Sequence, residues 1–249
     1  MNVDNLIAAL NLPPEARVDR RVPKTLLVEN GAPTVADKRR INEGIEELLW
    51  LASLKPTTIG VPEYRDDVRE YLEIAVLALT LRPEAKTDRL VKLIHRAIPY
   101  PVVLVAGQDN RVTLSFAHKR WSQGEGAKMV LDDAILLCDL TDHSSTAVLL
   151  DSLALSQQPR VNLLDLYQGW ITCLEAFQAA QVTGSFVLPT SGEAALARRT
   201  ALADHDRLTS RIDALRAQAT REPQINRRVE LNLKIKRLEA ERVAIRNQL

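Results

Sequence analysis

Apolar and polar positions divide the chain into a body whose pattern changes every few residues and a tail with one helical rhythm. Near the start, residues 3–10 space their apolar side chains as a short helix, stopped by Pro13 and Pro14. VPKTLLVEN (22–30) reads as a short strand or an extended arm. Thr34 is placed to cap a helix over VADKRRINEG, which ends at Gly44. EELLWLASL (46–54) is apolar on both sides and reads as a buried strand, although a helix also fits its length. YLEIAVLALTLR (71–82) is aliphatic enough for a central strand. Leu90, Leu93, Ile94 and Ala97 then recur at helical spacing until Pro99. PVVLVAG (101–107) and RVTLSFAH (111–118) flank QDN, a turn composition, and the second run alternates strictly. The two predict a β-hairpin, and AILLCDL (134–140) predicts a further strand. This order predicts an α+β fold, a mostly antiparallel sheet with helices flanking it on one face.

From Ser145 the rhythm is helical, interrupted at Pro159, and SFVLPTSGE (185–193) reads as an extended linker. Glycine does not recur after Gly192, and Pro223 is the one proline beyond it. Leu208, Ile212, Leu215 and Ala219 are spaced four, three and four apart. Leu231, Ile235, Leu238, Ile245 and Leu249 continue the rhythm, with Arg242 interrupting. Two helices joined at TREPQ (220–224) must run antiparallel, each about 37 Å long at 1.5 Å per residue. The predicted organisation is an α+β body over 1–144, a helical extension over 145–184, a linker over 185–192 and a helical hairpin (coiled coil) over 193–249.

Charge sharpens this division. Over its 249 residues the chain carries a net charge of only +1. Glu193 to Leu249 holds 13 Arg/Lys against 8 Asp/Glu, whereas the remainder holds 20 against 24. A basic arm on a mildly acidic body predicts contact with nucleic acid or an acidic protein surface, or simply a solvated helix face. The start of the chain lacks the pattern of a secretion signal, and no apolar run reaches about 18 residues, so a cytoplasmic protein without a membrane span is expected. Cys138 and Cys173 lie in apolar stretches and read as buried thiols.

Candidate chemistry is sparse. There is no phosphate-binding glycine motif, and GEGAK (124–128) reads as a loop. His95, His118, His143 and His205 lack ligand spacing, and no cofactor or metal is expected. Asp139, Asp142 and His143 read as strand-end and capping residues, and Ser144 and Ser145 as N-caps. Glu84 and Lys86, with Asp66 and Asp67 upstream, are the only set that would suit a metal-dependent nuclease. His118-Lys119-Arg120-Trp121 ends a strand, where Lys119 and Arg120 could meet phosphate and Trp121 could stack on a base. Ordinary edge charges are the plainer reading of that cluster.

Taken in order, VPKTLLVEN, DKRRI, EELLWLASLKPTTIGVP, YLEIAVLALTL, IPYPVVLV, SFAHKRW and INRRVELNLKIKRLEAE resemble the family known as domain of unknown function 4391. The resemblance implies an accessory protein found among bacterial helicases and DNA methyltransferases, the setting of anti-phage defence. It implies no catalytic residues. The expectation is therefore a non-enzymatic docking subunit whose arm is held by a larger protein of helicase or methyltransferase class. Arg227, Arg228, Lys234, Lys236 and Arg237 would supply its polar contacts, and Leu231, Ile235 and Leu238 its apolar ones. A direct DNA-binding module, a divergent nuclease and self-association through the arm are the alternatives.

Overall fold

A computed structural model describes residues 2–124, 128–140 and 143–249. It divides into two units, Met1–Cys173 and Leu174–Leu249. The first unit is built on a six-stranded sheet: β1 (Arg17–Arg21), β2 (Ile45–Leu54), β5 (Ile74–Leu81), β6 (Val102–Gln108), β7 (Arg111–Trp121) and β8 (Met129–Asp139), neighbours in that order. β3 (Tyr64–Arg65) and β4 (Glu70–Tyr71) pair as a separate small hairpin. Every pairing in the large sheet is antiparallel except β5 with β6.

That parallel pair requires a crossover, which α5 (Thr87–Ala97) supplies. β5 and β6 are buried along nearly their whole length, as continuous aliphatic runs demand when both faces are covered. On one face Ala75, Leu77, Leu79 and Leu81 of β5 and Leu104 of β6 pack with Leu90, Leu93 and Ile94 of α5. Leu27 of α2 (Lys24–Gly31) and Ile41 of α3 (Val35–Gly44) join the same core. The opposite face carries α1 (Val3–Ala9), α6 (Thr146–Ser152) and the first half of α7 (Leu163–Thr183). Helices therefore lie on both faces, not on one as the strand order alone suggested.

Segment 22–30 also departs from expectation, since residues 24–31 form a helix. Pro23 sits at its N-cap, and the helix presses so closely on α5 that a Cβ at Gly31 would lie 2.6 Å from the Leu93 carbonyl oxygen. Packing on α5 has overridden the strand-like run Leu26-Leu27-Val28. β1 went unread because RVDRR is charged along its length, which is how a sheet edge is protected from further pairing.

Where the β6–β7 ladder ends at Leu104 and Ser115, Tyr167 of α7 takes its place. Its hydroxyl accepts from the Ala117 N–H at 2.8 Å and donates to the Val102 carbonyl at 2.8 Å. Phe116, Tyr71 and His118 surround the ring with centroids 5.6–5.9 Å away.

Asp37 fastens two helices on the other face. Thr34 caps α3 by accepting from the Asp37 N–H at 3.1 Å, as its position predicted. The Asp37 carboxylate takes both Arg89 nitrogens of α5, at 2.8 and 2.6 Å, and Arg40 at 3.1 Å. The bond from Arg89 is the main reason its carboxyl titrates well below the ordinary 3.8. A depressed carboxyl stabilises the fold fully above its unfolded value and loses that contribution as pH falls through the folded one. Asp37→Asn should therefore lower the melting temperature at pH 7. The difference from wild type should shrink as the solution is taken below about pH 4, measured by thermal unfolding across pH.

Candidate docking surface

The second unit contains the end of α7, then α8 (Gly192–Arg221) and α9 (Ile225–Arg246). Ser191 caps α8 by accepting from the Ala194 N–H at 3.1 Å, so the helix starts where the linker was expected to end. Glu175 of α7, buried, takes the Arg199 Nε of α8 at 2.5 Å. This part of α7, expected to belong to an extension of the body, falls in the unit of the hairpin.

Pro223 and its neighbours turn the chain, and α8 and α9 close on one another. Ile212 and Ala219 of α8 form one buried cluster with Leu231 and Ile235 of α9, and Leu215 and Leu238 pack against it. Leu231 and Ile235 are each only 8% exposed. The apolar side chains expected to meet a partner are thus occupied by the hairpin itself. An antiparallel turn of three residues sets the two apolar series opposite each other, so they seal together. Arg216 of α8 adds an ion pair to Glu239 of α9 at 2.7 Å.

The basic positions behave differently. Arg227, Arg228, Lys234, Lys236 and Arg237 are all exposed, and none of their side chains has a hydrogen-bond or ion-pair partner among the described residues. Arg228, Lys236 and Arg237 lie on or beside a second apolar series of α9. Ile225, Val229, Leu233 and Val243 are 67%, 51%, 55% and 55% exposed. With Lys236 and Ala240, also exposed, they are spaced four, four, three, four and three apart. At about 100° per residue, this series lies across the helix from Leu231, Ile235 and Leu238. The signal was present in the sequence: the heptad count that starts at Leu231 also runs when started at Val229.

In the body, the three residues of the candidate nucleic-acid cluster stand in different surroundings. Lys119 is 1% exposed, and its Nζ donates to the carbonyl oxygens of His95 and, at 2.7 Å, Ile98. It satisfies the C-terminal end of α5, whose last carbonyls have no helical partner. Arg120 faces Asp132 at 3.4 Å, a carboxylate it shares with Arg69, and donates to the Trp121 carbonyl at 3.1 Å. Trp121 is partly buried, and its backbone N–H donates to Val68 at 2.8 Å. Contact between Lys119 and phosphate is ruled out in this fold.

The nuclease set is likewise dispersed. Asp66 caps a turn, accepting from Tyr64 Oη at 2.6 Å and from the N–H groups of Val68 and Arg69 at 2.8 and 2.5 Å. That turn is bonded to Trp121, at the end of the sheet where β5 begins, whereas Glu84 and Lys86 follow the end of β5. Eight residues of strand, about 25 Å, separate the two ends. Lys86 lines a cavity of about 430 Å³ with Thr87, Arg89, Gln108, Arg111 and Asp139. Among the described residues no three His, Cys, Asp or Glu side chains converge as metal ligands would. Glu125–Ala127, the middle of the GEGAK segment, and Asp142 lie outside the described residues.

Remaining reactive groups are held by the core. His118 accepts from Tyr71 Oη through Nδ1 at 2.5 Å and donates from Nε2 to Gln168 Oε1 at 3.0 Å. His95, fully buried, meets Ser115 Oγ at 3.0 Å, and burial, with Lys119 adding to it, pushes its pKa down to about 3. Cys138 and Cys173 are buried as expected and not joined in a disulfide, and burial raises Cys138 to about 12. No helix among the described residues is long and apolar enough to cross a membrane.

Burial lowers the Lys119 ammonium to about 7 from its ordinary 10.5. The folded state thus binds fewer protons than the unfolded state between those values, and Lys119 contributes more stability as pH rises through that window. Lys119→Met should cost about 2–5 kcal/mol by orphaning two buried carbonyls. Its deficit relative to wild type should widen from pH 7 towards pH 10 in denaturant titrations.

Comparison with curated proteins finds no match, and comparison with solved structures finds none either. A family match extends over residues 10–241, which takes in the sheet, α7, α8 and most of α9. Sheet, core and hairpin are thus the shared substance of one lineage, and the chain belongs to the family described as domain of unknown function 4391.

Proposed function

We propose that this protein is a non-enzymatic docking subunit of a bacterial DNA-transacting complex, of helicase or methyltransferase type, acting in anti-phage defence. The observation that carries the docking reading is the outward apolar series of α9. A helix needs one apolar stripe to pack in a hairpin, and α9 has two. Ile225, Val229, Leu233 and Val243 remain more than half exposed while the inner seam is closed. Covering these half-exposed side chains in an interface would contribute roughly 3–6 kcal/mol before ordering costs. The unpaired arginines and lysines beside them add salt-sensitive attraction to a negatively charged partner. The DNA-transacting setting rests on the family resemblance and on the basic character of the arm.

The test separates the two stripes of α9. Full-length protein carrying Val229→Glu with Leu233→Glu should unfold at the wild-type temperature but lose the partner recovered by affinity purification from the native host. Leu231→Ala and Ile235→Ala should each destabilise the hairpin by about 2–4 kcal/mol. Undiminished recovery with the double glutamate variant would overturn the docking role of this face.

A further inference from the structure

We infer that the outward face of α9 receives an acidic amphipathic helix, with a carboxylate seated opposite Lys236. This rests on the docking reading above and adds the chemistry of the occupant.

Three observations define that occupant. The first is spacing. Val229, Leu233, Lys236, Ala240 and Val243 are four, three, four and three apart, the repeat that a second helix meets with interlocking side chains. A strand or a flat surface offers no matching periodicity.

The second is Lys236 itself. It stands in the middle of the apolar series, exposed and without an ion-pair partner among the described residues. A covering helix would strip water from the ammonium, and an uncompensated charge there opposes binding. Its methylene stem can lie along the apolar stripe while the charge meets a Glu or Asp at the rim. Lys236 thus selects the partner residue and the register, as a single polar core position does in coiled coils.

The third is the charge beside this face. At about 100° per residue Lys236 lies on the face and Arg228, Arg237 and Arg246 flank it within about a quarter turn, with Glu239 as the acidic side chain equally near, a net of +3. Glu239 is already engaged by Arg216. A second copy of this face would bring +3 against +3 and add an unpaired Lys236 from each side, which disfavours self-pairing. A nucleic acid would satisfy the basic groups but leave Ile225, Val229, Leu233 and Val243 in water. An acidic helix satisfies both sets of groups at once.

The full-length protein would be titrated with two labelled four-heptad peptides that share leucines at the seam positions. One carries glutamates at the flanking positions and opposite Lys236, and the other carries lysines there. Fluorescence anisotropy should show the acidic peptide binding at least tenfold tighter than the basic one, with affinity falling as salt is raised. Lys236→Glu should weaken the acidic peptide at least tenfold, and Lys236→Arg should retain most of the affinity. Equal binding of the two peptides, or indifference to Lys236→Glu, overturns the proposal. So does a concentration-dependent dimer in sedimentation that Val229→Glu dissociates, or tight binding of a 20-base-pair duplex in place of the acidic peptide. If the double glutamate variant loses its host partner while the acidic peptide fails to bind, docking stands and the acidic helix does not. If that variant keeps its host partner, the docking face itself is wrong.

Discussion

The pairing of β5 with β6 is the constraint that the rest of the body answers to. Two parallel strands cannot be joined by a tight turn, so the chain crosses one face of the sheet as α5. Both strands are then aliphatic on both sides, and each face must be roofed. α2 and α3 complete the roof beside α5, held there by Leu27, Ile41 and the Asp37–Arg89 pair. On the other face Tyr167 supplies hydrogen bonds where the ladder runs out, which ties α7 to the sheet by polar as well as apolar contact. Groups that catalysis often recruits are absorbed in this construction. Lys119 completes a helix end, His118 links Tyr71 to Gln168, and Asp66 organises a turn.

Much of this body was legible in the order of its residues. The Thr34-capped helix, the helix 87–97 and the hairpin around QDN stand where spacing placed them, because local pattern and tertiary environment agree there. Disagreement appears where a neighbour decides. Residues 24–31 are helical because they lie against α5, and nothing within VPKTLLVEN records that neighbour. Lys119 looked like a strand-end charge because the carbonyls it serves belong to a helix more than twenty residues earlier. The strand pattern gave its position along β7, but the orphaned oxygens above it are a property of the assembled core.

The arm was legible in outline and misread in its faces. Its helices, turn and inner series follow directly from the heptad spacing. What one-dimensional reading missed is that a 22-residue helix has room for two such series on opposite sides. The inner one is satisfied within the chain, so substitutions there act on folding. The outer one has no role in closing the hairpin, so substitutions there should leave folding unchanged. On the docking reading proposed above, stability and recognition fall to different side chains of the same helix, and selection can alter one while leaving the other intact.

The inward lysine of β7 has a consequence for how the sheet finds its alignment. Side chains of a strand alternate between its two faces, so sliding β7 by one residue would reverse every one of them. Lys119 would then turn its amine towards the opposite face, away from the His95 and Ile98 oxygens, and bury a polar group without those acceptors. Only one alignment of β7 lets this amine find both acceptors. A single buried amine thus favours the native ladder over its one-residue slip.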